Sequence, residues 1–224
     1  MKVGVHNSWL NVTEALALDL FSRASSQKLS VGDVLFRVGE DGSGCYRLDK
    51  GALKVMLTSP RGEEHTIALL TPVAIVGDLS MIDGLPRSAT VMAMTDCELL
   101  FVSRLAFVEF TKRHPEIYHC LTDLLASRLR ETDQTIAALT FLTWRGRVAR
   151  ALLEIANALG KQADSGEAVV ERMVNQRELA AMAGVARENV NRVLSEWKRR
   201  GIVSYSDGRL QIHDKSALKQ ELEW

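Results

Sequence analysis

Between Glu116 and Leu142 the chain runs for 27 residues without a glycine or a proline. An uninterrupted α-helix of that length reaches about 40 Å at 1.5 Å per residue, too long for an ordinary element of a small domain. Within it Leu125, Leu129, Thr132, Ile136 and Leu139 recur at spacings of four and three, the pattern of a coiled-coil seam. The expectation is that two copies of the chain pair along this seam as a homodimer. The competing reading is a helix packed only on its own domain, and against it Thr132 counts as a poor core residue but an acceptable interfacial one.

The N-terminal side has a different period. From about residue 27 to 103 the apolar residues fall in short runs, Val34-Leu35-Phe36, Tyr46-Arg47-Leu48 and Leu53-Lys54-Val55-Met56-Leu57. Turn formers such as Gly39-Glu40-Asp41-Gly42 and Asp49-Lys50-Gly51 separate them. Alternation at period two between glycine-containing turns predicts antiparallel strands. Further runs at Thr66 to Leu70, Val73 to Val76, Thr90 to Met94 and Glu98 to Val102 supply enough strands to close a barrel or roll. Leu105 to Arg113 reads as a short helix that His114-Pro115 stops, because proline lacks an N–H and restricts the residue before it.

Beyond the long helix, Gly146 to Leu159 continues as helix, Gly160 to Gly166 reads as a polar loop, and Val169 to Met173 as a short strand. Asn175-Gln176-Arg177-Glu178 sets a capping side chain three residues before a glutamate, which satisfies orphan N–H groups at a helix start. The helix continues through Leu179-Ala180-Ala181-Met182-Ala183, Gly184 supplies a left-handed turn, Val185 packs inward, and a second helix spans Arg187 to Arg200. Helix, short glycine turn and helix make a helix-turn-helix. Ile202 to Tyr205 and Leu210 to His213 flank Ser206-Asp207-Gly208-Arg209; Asp-Gly favours a hairpin, which adds a wing.

In such motifs the first residues of the second helix meet base edges in the major groove of double-stranded DNA. Arg187, Glu188, Asn191 and Arg192 lie on one face, with Asn189 among them. Arginine is bidentate to guanine O6 and N7, and glutamate accepts from cytosine N4. Glu188, four residues before Arg192, is also expected to pair with it and hold its guanidinium straight. Asn175 and Gln176, at the start of the first helix, complete the expected DNA-facing set. A salt bridge on a packing helix is the plainer account of the same charges.

Composition bounds the reading from outside. With 28 basic and 28 acidic side chains the formal net charge is zero, which on its face argues against nucleic acid. Yet residues 172–200 hold seven basic groups, among them Arg172, Arg177, Lys198, Arg199 and Arg200, against the three acids Glu178, Glu188 and Glu196. A local basic surface matters more for phosphates than the whole-chain sum, although a solvated helical face has the same composition. Cys45, Cys97 and Cys120 are odd in number and contain no Cys-x-x-Cys pair, so no disulfide framework and no metal, haem or iron–sulfur site is expected. No stretch approaches the roughly 20 apolar residues of a membrane span, and the N-terminus lacks a secretory pattern. The expected location is cytoplasmic, without a membrane partner. His6, His65, His114, His119 and His213 are scattered, no nucleophile–base spacing stands out and no Walker-type loop is present, so the chain is expected not to be an enzyme.

Arg187-Glu188-Asn189-Val190-Asn191-Arg192-Val193-Leu194 resembles the recognition helix of the CRP/FNR family of transcription regulators. The resemblance extends over nearly the whole chain. Gly32-Asp33-x-Leu35-Phe36-x-x-Gly39-Glu40 and Tyr46-x-Leu48-x-x-Gly51 look like the family's cyclic-nucleotide-binding barrel. Gly77-Asp78-Leu79 followed by Pro86-Arg87-Ser88-Ala89-Thr90-Val91 looks like its phosphate-binding cassette. The implied fold is α+β: an antiparallel β-roll or jelly-roll cyclic-nucleotide-binding domain over 1–115, a long dimerisation helix over 116–142, and a winged helix-turn-helix DNA-binding domain over 143–224.

The resemblance implies a cyclic nucleotide as allosteric effector, cyclic AMP first and cyclic GMP beside it. The cassette suits that chemistry independently, because a cyclic phosphodiester carries one negative charge and needs a guanidinium with short hydroxyl and backbone N–H donors, here Arg87, Ser88 and Ala89. Where the family usually has Glu to receive the ribose 2′-OH, this chain has the shorter Asp78. Aligning Arg128-Leu129 on the long helix brings Thr132 to a family position for the base edge and Asp133 to one where the family has Ser. An ionised Asp133 only accepts, and so favours a base edge presenting N–H groups. Arg187, Glu188 and Arg192 match the branch that reads TGTGA-like half-sites, whereas the oxygen-sensing branch has an aliphatic residue at 187 and clustered N-terminal cysteines. Ala186 replaces the usual Ser, which removes a cap and a phosphate contact. RNA polymerase is the further implied partner. Two other readings stay open: the same DNA-binding dimer with a cyclic dinucleotide or no effector, and a kinase-type regulatory subunit or enzyme built on the nucleotide barrel.

Overall fold

The computed structural model describes residues 13–162, 168–170, 174–206 and 209–223. They fold as two compact units, one from the chain up to Arg61 with Ala68–Thr132, the other from Gly62–Ile67 and the chain from Asp133 onward.

On the N-terminal side, helix α1 (Thr13–Phe21) precedes strands β1 (Ser25–Leu29), β2 (Val34–Phe36), β3 (Gly44–Lys50), β4 (Leu53–Thr58), β5 (Glu64–Leu70, of which Ala68–Leu70 belong to the first unit) and β6 (Ile75–Val76). Short helix α2 (Asp78–Asp83) then leads into β7 (Thr90–Ala93), β8 (Cys97–Ser103) and α3 (Arg104–Arg113). The strands form two four-stranded antiparallel sheets, ordered β1-β8-β3-β6 and β2-β7-β4-β5. Period two places every second side chain inward: Leu48 opposes Leu99 and Val55 opposes Val91 across the ladders. Leu48, Leu53, Val76, Val91 and Leu99 share one buried core. The expected β-roll is therefore present, with α1 and α2 added to it. Ser103 caps α3 by accepting from the Ala106 N–H at 3.2 Å, and α3 ends at His114-Pro115 as expected.

The Gly- and Pro-free stretch is α4 (Ile117–Phe141), 25 residues long. It carries two apolar stripes. Ile117, Leu121 and Leu124 pack with Cys45, Phe107 and Phe110 in a core of the first unit. The seam read from the sequence faces solvent instead, with Leu129 64% and Ile136 57% exposed, and Leu125 and Leu139 also in the exposed class.

In the second unit α5 (Trp144–Leu159) is followed by β9 (Gly160–Gln162), β10 (Ala168–Val170), α6 (Gln176–Ala183), α7 (Arg187–Arg199), β11 (Val203–Ser206), β12 (Arg209–Ile212) and α8 (Lys215–Gln220). Helices α5, α6 and α7 bury Val148, Leu152, Ile155, Leu179, Val190, Val193 and Trp197 against a four-stranded sheet ordered β11-β12-β10-β9. This is a helix-turn-helix with a β-wing. Two local expectations are corrected. Gly160, expected to open a loop, begins β9, where it pairs with Val170; three residues that finish a sheet edge are too few to show a period. The strand expected to run from Val169 starts at Ala168, and residues 171–173, Arg172 among them, lie outside the described residues, as do 163–167, the Asp207-Gly208 turn and the N-terminal twelve with His6.

Cys45, Cys97 and Cys120 are free thiols, the first two buried. Among the described residues no helix is long and apolar enough to cross a membrane.

Candidate functional site

The residues read as a phosphate cassette meet around one buried guanidinium. Gly77 adopts φ 79°, the left-handed conformation that glycine takes without strain, and leads into α2. That bend brings its carbonyl to Arg87, whose Nη1 donates to Gly77 O at 2.8 Å and whose Nη2 donates to Gly44 O at 2.8 Å. A Cβ at position 77 would overlap Arg87 Nη1, so the absence of a side chain there is what admits the arginine. The guanidinium also lies over the Phe36 ring, 4.2 Å from its centroid. Main-chain bonds from Gly39 N to Arg87 O and from Arg87 N to Glu40 O, each 2.8 Å, tie the Gly39-Glu40 turn to the cassette. Arg87 is only 4% exposed, and its Nε is buried with no hydrogen-bond partner among the described residues.

Among the described residues Arg87 makes no ion pair, and the nearby carboxylate pairs with another arginine. Asp78, 1% exposed, pairs with Arg128 Nη1 of α4 at 2.8 Å, while Arg128 Nη2 donates to Ile75 O at 2.7 Å. The pocket therefore holds one close charge pair and, beside it, a buried guanidinium whose described contacts are to carbonyl oxygens and a ring. Burial pulls the Arg87 guanidinium below its ordinary pKa, opposed by Tyr46, Cys45, Asp78 and Glu40. A monoanion with acceptor oxygens is the group that relieves such a site. The residues therefore fit a cyclic phosphodiester.

The other expected ligand residues are placed around this core as follows. Ala89 is buried, Ser88 is exposed, and Leu79 is 41% exposed. Thr132 and Asp133 are both exposed on α4, one turn beyond Arg128, and Thr132 Oγ1 donates to Arg128 O at 2.9 Å. Sequence reasoning missed the stacking of Phe36 on Arg87 and the Asp78–Arg128 pair. The second was reachable in principle, since an acid and a base that both fall on apolar-flanked positions have to compensate one another.

In the second unit the local chemistry builds the helix-turn-helix as read. Asn175 Oδ1 accepts from the Glu178 N–H at 2.8 Å and starts α6; Gly184, at φ 60°, ends it with its N–H on Ala180 O. Val185 is half-buried in the turn. Helix α7 opens at Ala186, which makes no side-chain cap. Val190, Val193, Leu194 and Trp197 bury one face of α7 and leave Arg187, Glu188, Asn191 and Arg192 exposed on the other, with Asn189 half-buried. Gln176 joins that surface, donating from Nε2 to Asn191 Oδ1 at 2.8 Å and accepting from Arg187 Nε at 3.4 Å.

One expectation about this face is wrong. Arg192 makes no ion pair with Glu188 among the described residues; its Nη2 donates to Asn189 Oδ1 at 3.1 Å and its guanidinium lies 4.6 Å from the Trp144 ring centroid. An aromatic face and a near neutral acceptor outcompete an exposed glutamate whose pairing in water is worth a few tenths of a kcal/mol. Sequence reasoning also missed the group behind α7. Arg145 donates to both oxygens of Glu196 at 2.6 and 2.9 Å and to Glu221 at 3.1 Å, and Trp197 Nε1 donates to Glu221 at 3.4 Å. Hydrogen bonds from Arg145 hold the Glu196 carboxyl below its usual range, and donating to Glu196 and Glu221 raises the Arg145 guanidinium.

Comparison with known proteins places both halves. Residues 26–114 match the cyclic nucleotide-binding domain and residues 146–221 the Crp-like helix-turn-helix domain. The chain is 34% identical over 206 residues to a cyclic AMP receptor protein of Thermus thermophilus, covering 92% of this chain and 90% of that one. It is 32% identical over 187 residues to a CRP-like cAMP-activated global transcriptional regulator of Mycobacterium tuberculosis, covering 84% and 83%. Among solved structures, a CRP/FNR-family regulator of Thermus thermophilus superposes with a TM-score of 0.75 at 26% identity, over 89% of this chain and 99% of that chain. The c-di-GMP-responsive global regulator of Xanthomonas campestris shares the fold, with a TM-score of 0.78 at 18% identity, over 90% and 99%. A guanidinium cradled by a β-roll and a winged helix-turn-helix in one chain, together with relatives of this identity and coverage, establish that the chain belongs to the CRP/FNR family of transcription regulators.

Proposed function

We propose that the chain is a homodimeric regulator that binds palindromic, TGTGA-like DNA under the control of a cyclic mononucleotide, cyclic AMP first and cyclic GMP beside it. The observation that carries the effector half is Arg87, a cation 4% exposed whose Nε has no partner among the described residues. The bound nucleotide supplies one negative charge, a ribose hydroxyl and a purine edge. Arg87 Nε, the Ser88 hydroxyl and the Ala89 N–H are the donors assigned to the phosphate. Asp78, paired with Arg128, is assigned to the hydroxyl, and Thr132 and Asp133 to the purine edge. The names of the Thermus and Mycobacterium relatives support cyclic AMP. The Xanthomonas relative, named for c-di-GMP, shares the fold only, so the fold does not choose between effectors.

Readout of DNA is assigned to Arg187, Glu188, Asn191 and Arg192, with Asn189, Asn175 and Gln176 supporting them. The α4 seam is assigned to the second copy of the chain, because Leu129 and Ile136 are large apolar side chains more than half exposed at coiled-coil spacing. Pairing along α4 presents two recognition helices to half-sites one DNA turn apart, about 34–36 Å. Because Arg128 and Thr132 sit on that same helix, a ligand there acts on the dimer through its differential affinity for two arrangements of α4. RNA polymerase is the partner proposed for the DNA-bound dimer, and the cytoplasm its location.

Calorimetric titration with cyclic AMP, cyclic GMP and cyclic di-GMP, followed by fluorescence anisotropy on a palindromic duplex with each nucleotide, tests the proposal. One cyclic mononucleotide is expected to bind and to tighten DNA binding at least tenfold. Equal DNA affinity with every nucleotide and with none would overturn the switch, and tight binding of the dinucleotide alone would overturn the effector.

A further inference from the structure

The first residue of α5 touches the recognition helix through its ring. Trp144, half-buried, lies 4.6 Å from the guanidinium carbon of Arg192, and Arg192 also donates from Nη2 to Asn189 Oδ1 at 3.1 Å. The next residue, Arg145, grips Glu196 at 2.6 and 2.9 Å. Arg192 and Glu196 are four residues apart on α7, hence on one face and one turn from each other. A single dipeptide at the start of α5 therefore holds the recognition helix at two successive turns, and one of the held side chains is a base reader.

We infer that Trp144 is a positioning residue for Arg192, through which the junction between α4 and α5 acts on base discrimination. The inference rests on the assignment of Arg192 to base readout. Its physical basis is the shape of a guanidinium. An aromatic ring binds the planar face, whereas guanine O6 and N7 are bound by N–H groups in the plane, so Arg192 is able to keep Trp144 against one face while its edge reads a base. Asn189 takes one in-plane donor and restrains rotation about the remaining bonds. An arginine held in this way is ordered before DNA arrives, and ordering a free side chain at the moment of binding lowers affinity by a factor of about three to ten.

The position of Trp144 gives this ordering a regulatory meaning. α4 ends at Phe141 and α5 begins at Trp144, so only two residues separate the long helix from the ring that carries Arg192. Thr143 fixes the start of α5 by accepting from the Gly146 N–H at 3.1 Å, so the ring turns with the helix. A rotation at this junction shifts the aim of Arg192 directly, in addition to any movement of α7 as a whole.

The test uses the full-length protein with saturating cyclic AMP and two duplexes, a TGTGA palindrome and the same palindrome with the guanines of both half-sites replaced. Trp144→Leu is expected to lower the ratio of the two affinities three- to tenfold, chiefly by weakening the palindrome, and to leave the salt slope on the altered duplex unchanged. Trp144→Phe, which keeps an aromatic face, is expected to restore at least half of the loss on a logarithmic scale. In an Arg192→Ala background Trp144→Leu is expected to change nothing further. Equal weakening of both duplexes by Trp144→Leu, or an unchanged ratio, overturns the inference. A wild-type protein that does not discriminate between the duplexes instead removes the readout assignment beneath it, and the inference with it.

Discussion

Replacing Gly77 by Ala is the sharpest test of how the proposed nucleotide pocket is built. Two costs add. At φ 79° an L side chain sits in the left-handed region, which costs about 1–2 kcal/mol. The new methyl would also overlap Arg87 Nη1 and lie 3.1 Å from its Cζ and 3.4 Å from Phe36 Cε1. The guanidinium cannot retreat while keeping both carbonyl bonds, and losing one hydrogen bond from a charged buried donor costs about 1.5–3 kcal/mol. Together they come to about 2.5–5 kcal/mol, a large share of the stability of an ordinary domain. Cys45 is a built-in reporter, since it follows Gly44, whose carbonyl takes Arg87 Nη2, and its side chain is fully buried. Thiol labelling under native conditions, with peptide mapping to separate Cys45 from Cys97 and Cys120, reads the opening of this strand. Cys45 in Gly77→Ala is expected to label between about sixtyfold and several thousandfold faster than in the wild type, given about 1.4 kcal/mol per decade. A rate within threefold of the wild type would refute the packing argument, whatever happens to nucleotide binding.

Arg128→Met keeps the bulk of the side chain but leaves Asp78, 1% exposed, without its cation; a loss of about 3 kcal/mol in urea denaturation is expected, and an unchanged midpoint would show the pair to be dispensable. Leu129→Glu combined with Ile136→Glu places like charges along the exposed seam, and sedimentation at micromolar concentration is expected to show monomers where the wild type gives dimers. Burial, with the Asp78 charge behind it and the Arg87 charge opposing, pushes the Cys45 thiol from 9.0 up to about 12. A pKa raised in the folded state contributes stability that is complete below pH 9 and disappears as pH climbs toward 12. The difference in denaturation midpoint between wild type and Cys45→Ala is therefore expected to be flat up to pH 9 and to shrink above it, and a flat difference up to pH 11 would contradict the burial.

What could be read from the sequence follows from the range of each signal. The β-roll strands alternate at period two between glycine turns, and α4 lacks any breaker over its length, so both announce themselves locally. Asn175 and Gly184 did the same for the helix-turn-helix, because capping and left-handed turns are decided within four residues. Short elements were not legible: β9 is a three-residue sheet edge and α2 a six-residue helix, and neither completes a second period of its own kind. Side-chain partnerships were the hardest. Glu188 stands at the right spacing for Arg192, yet Trp144, 48 positions earlier, takes the guanidinium; the Arg145–Glu221 bond spans 76 positions. Spacing rules describe neighbours along a helix and are silent about a ring that arrives from another one.

The Asp78–Arg128 pair and the proposed DNA-reading face of α7 answer to different media. Asp78 is sealed from solvent and the Arg128 side chain is 29% exposed, so mobile ions screen this pair weakly, whereas the exposed Arg187 and Arg192 belong to the proposed DNA interface, where electrostatic attraction falls steeply with added salt. Electrolyte is thus expected to press on the proposed grip on DNA while leaving the grip between α2 and the long helix nearly untouched, so changing its concentration separates the two proposed events in an otherwise intact molecule.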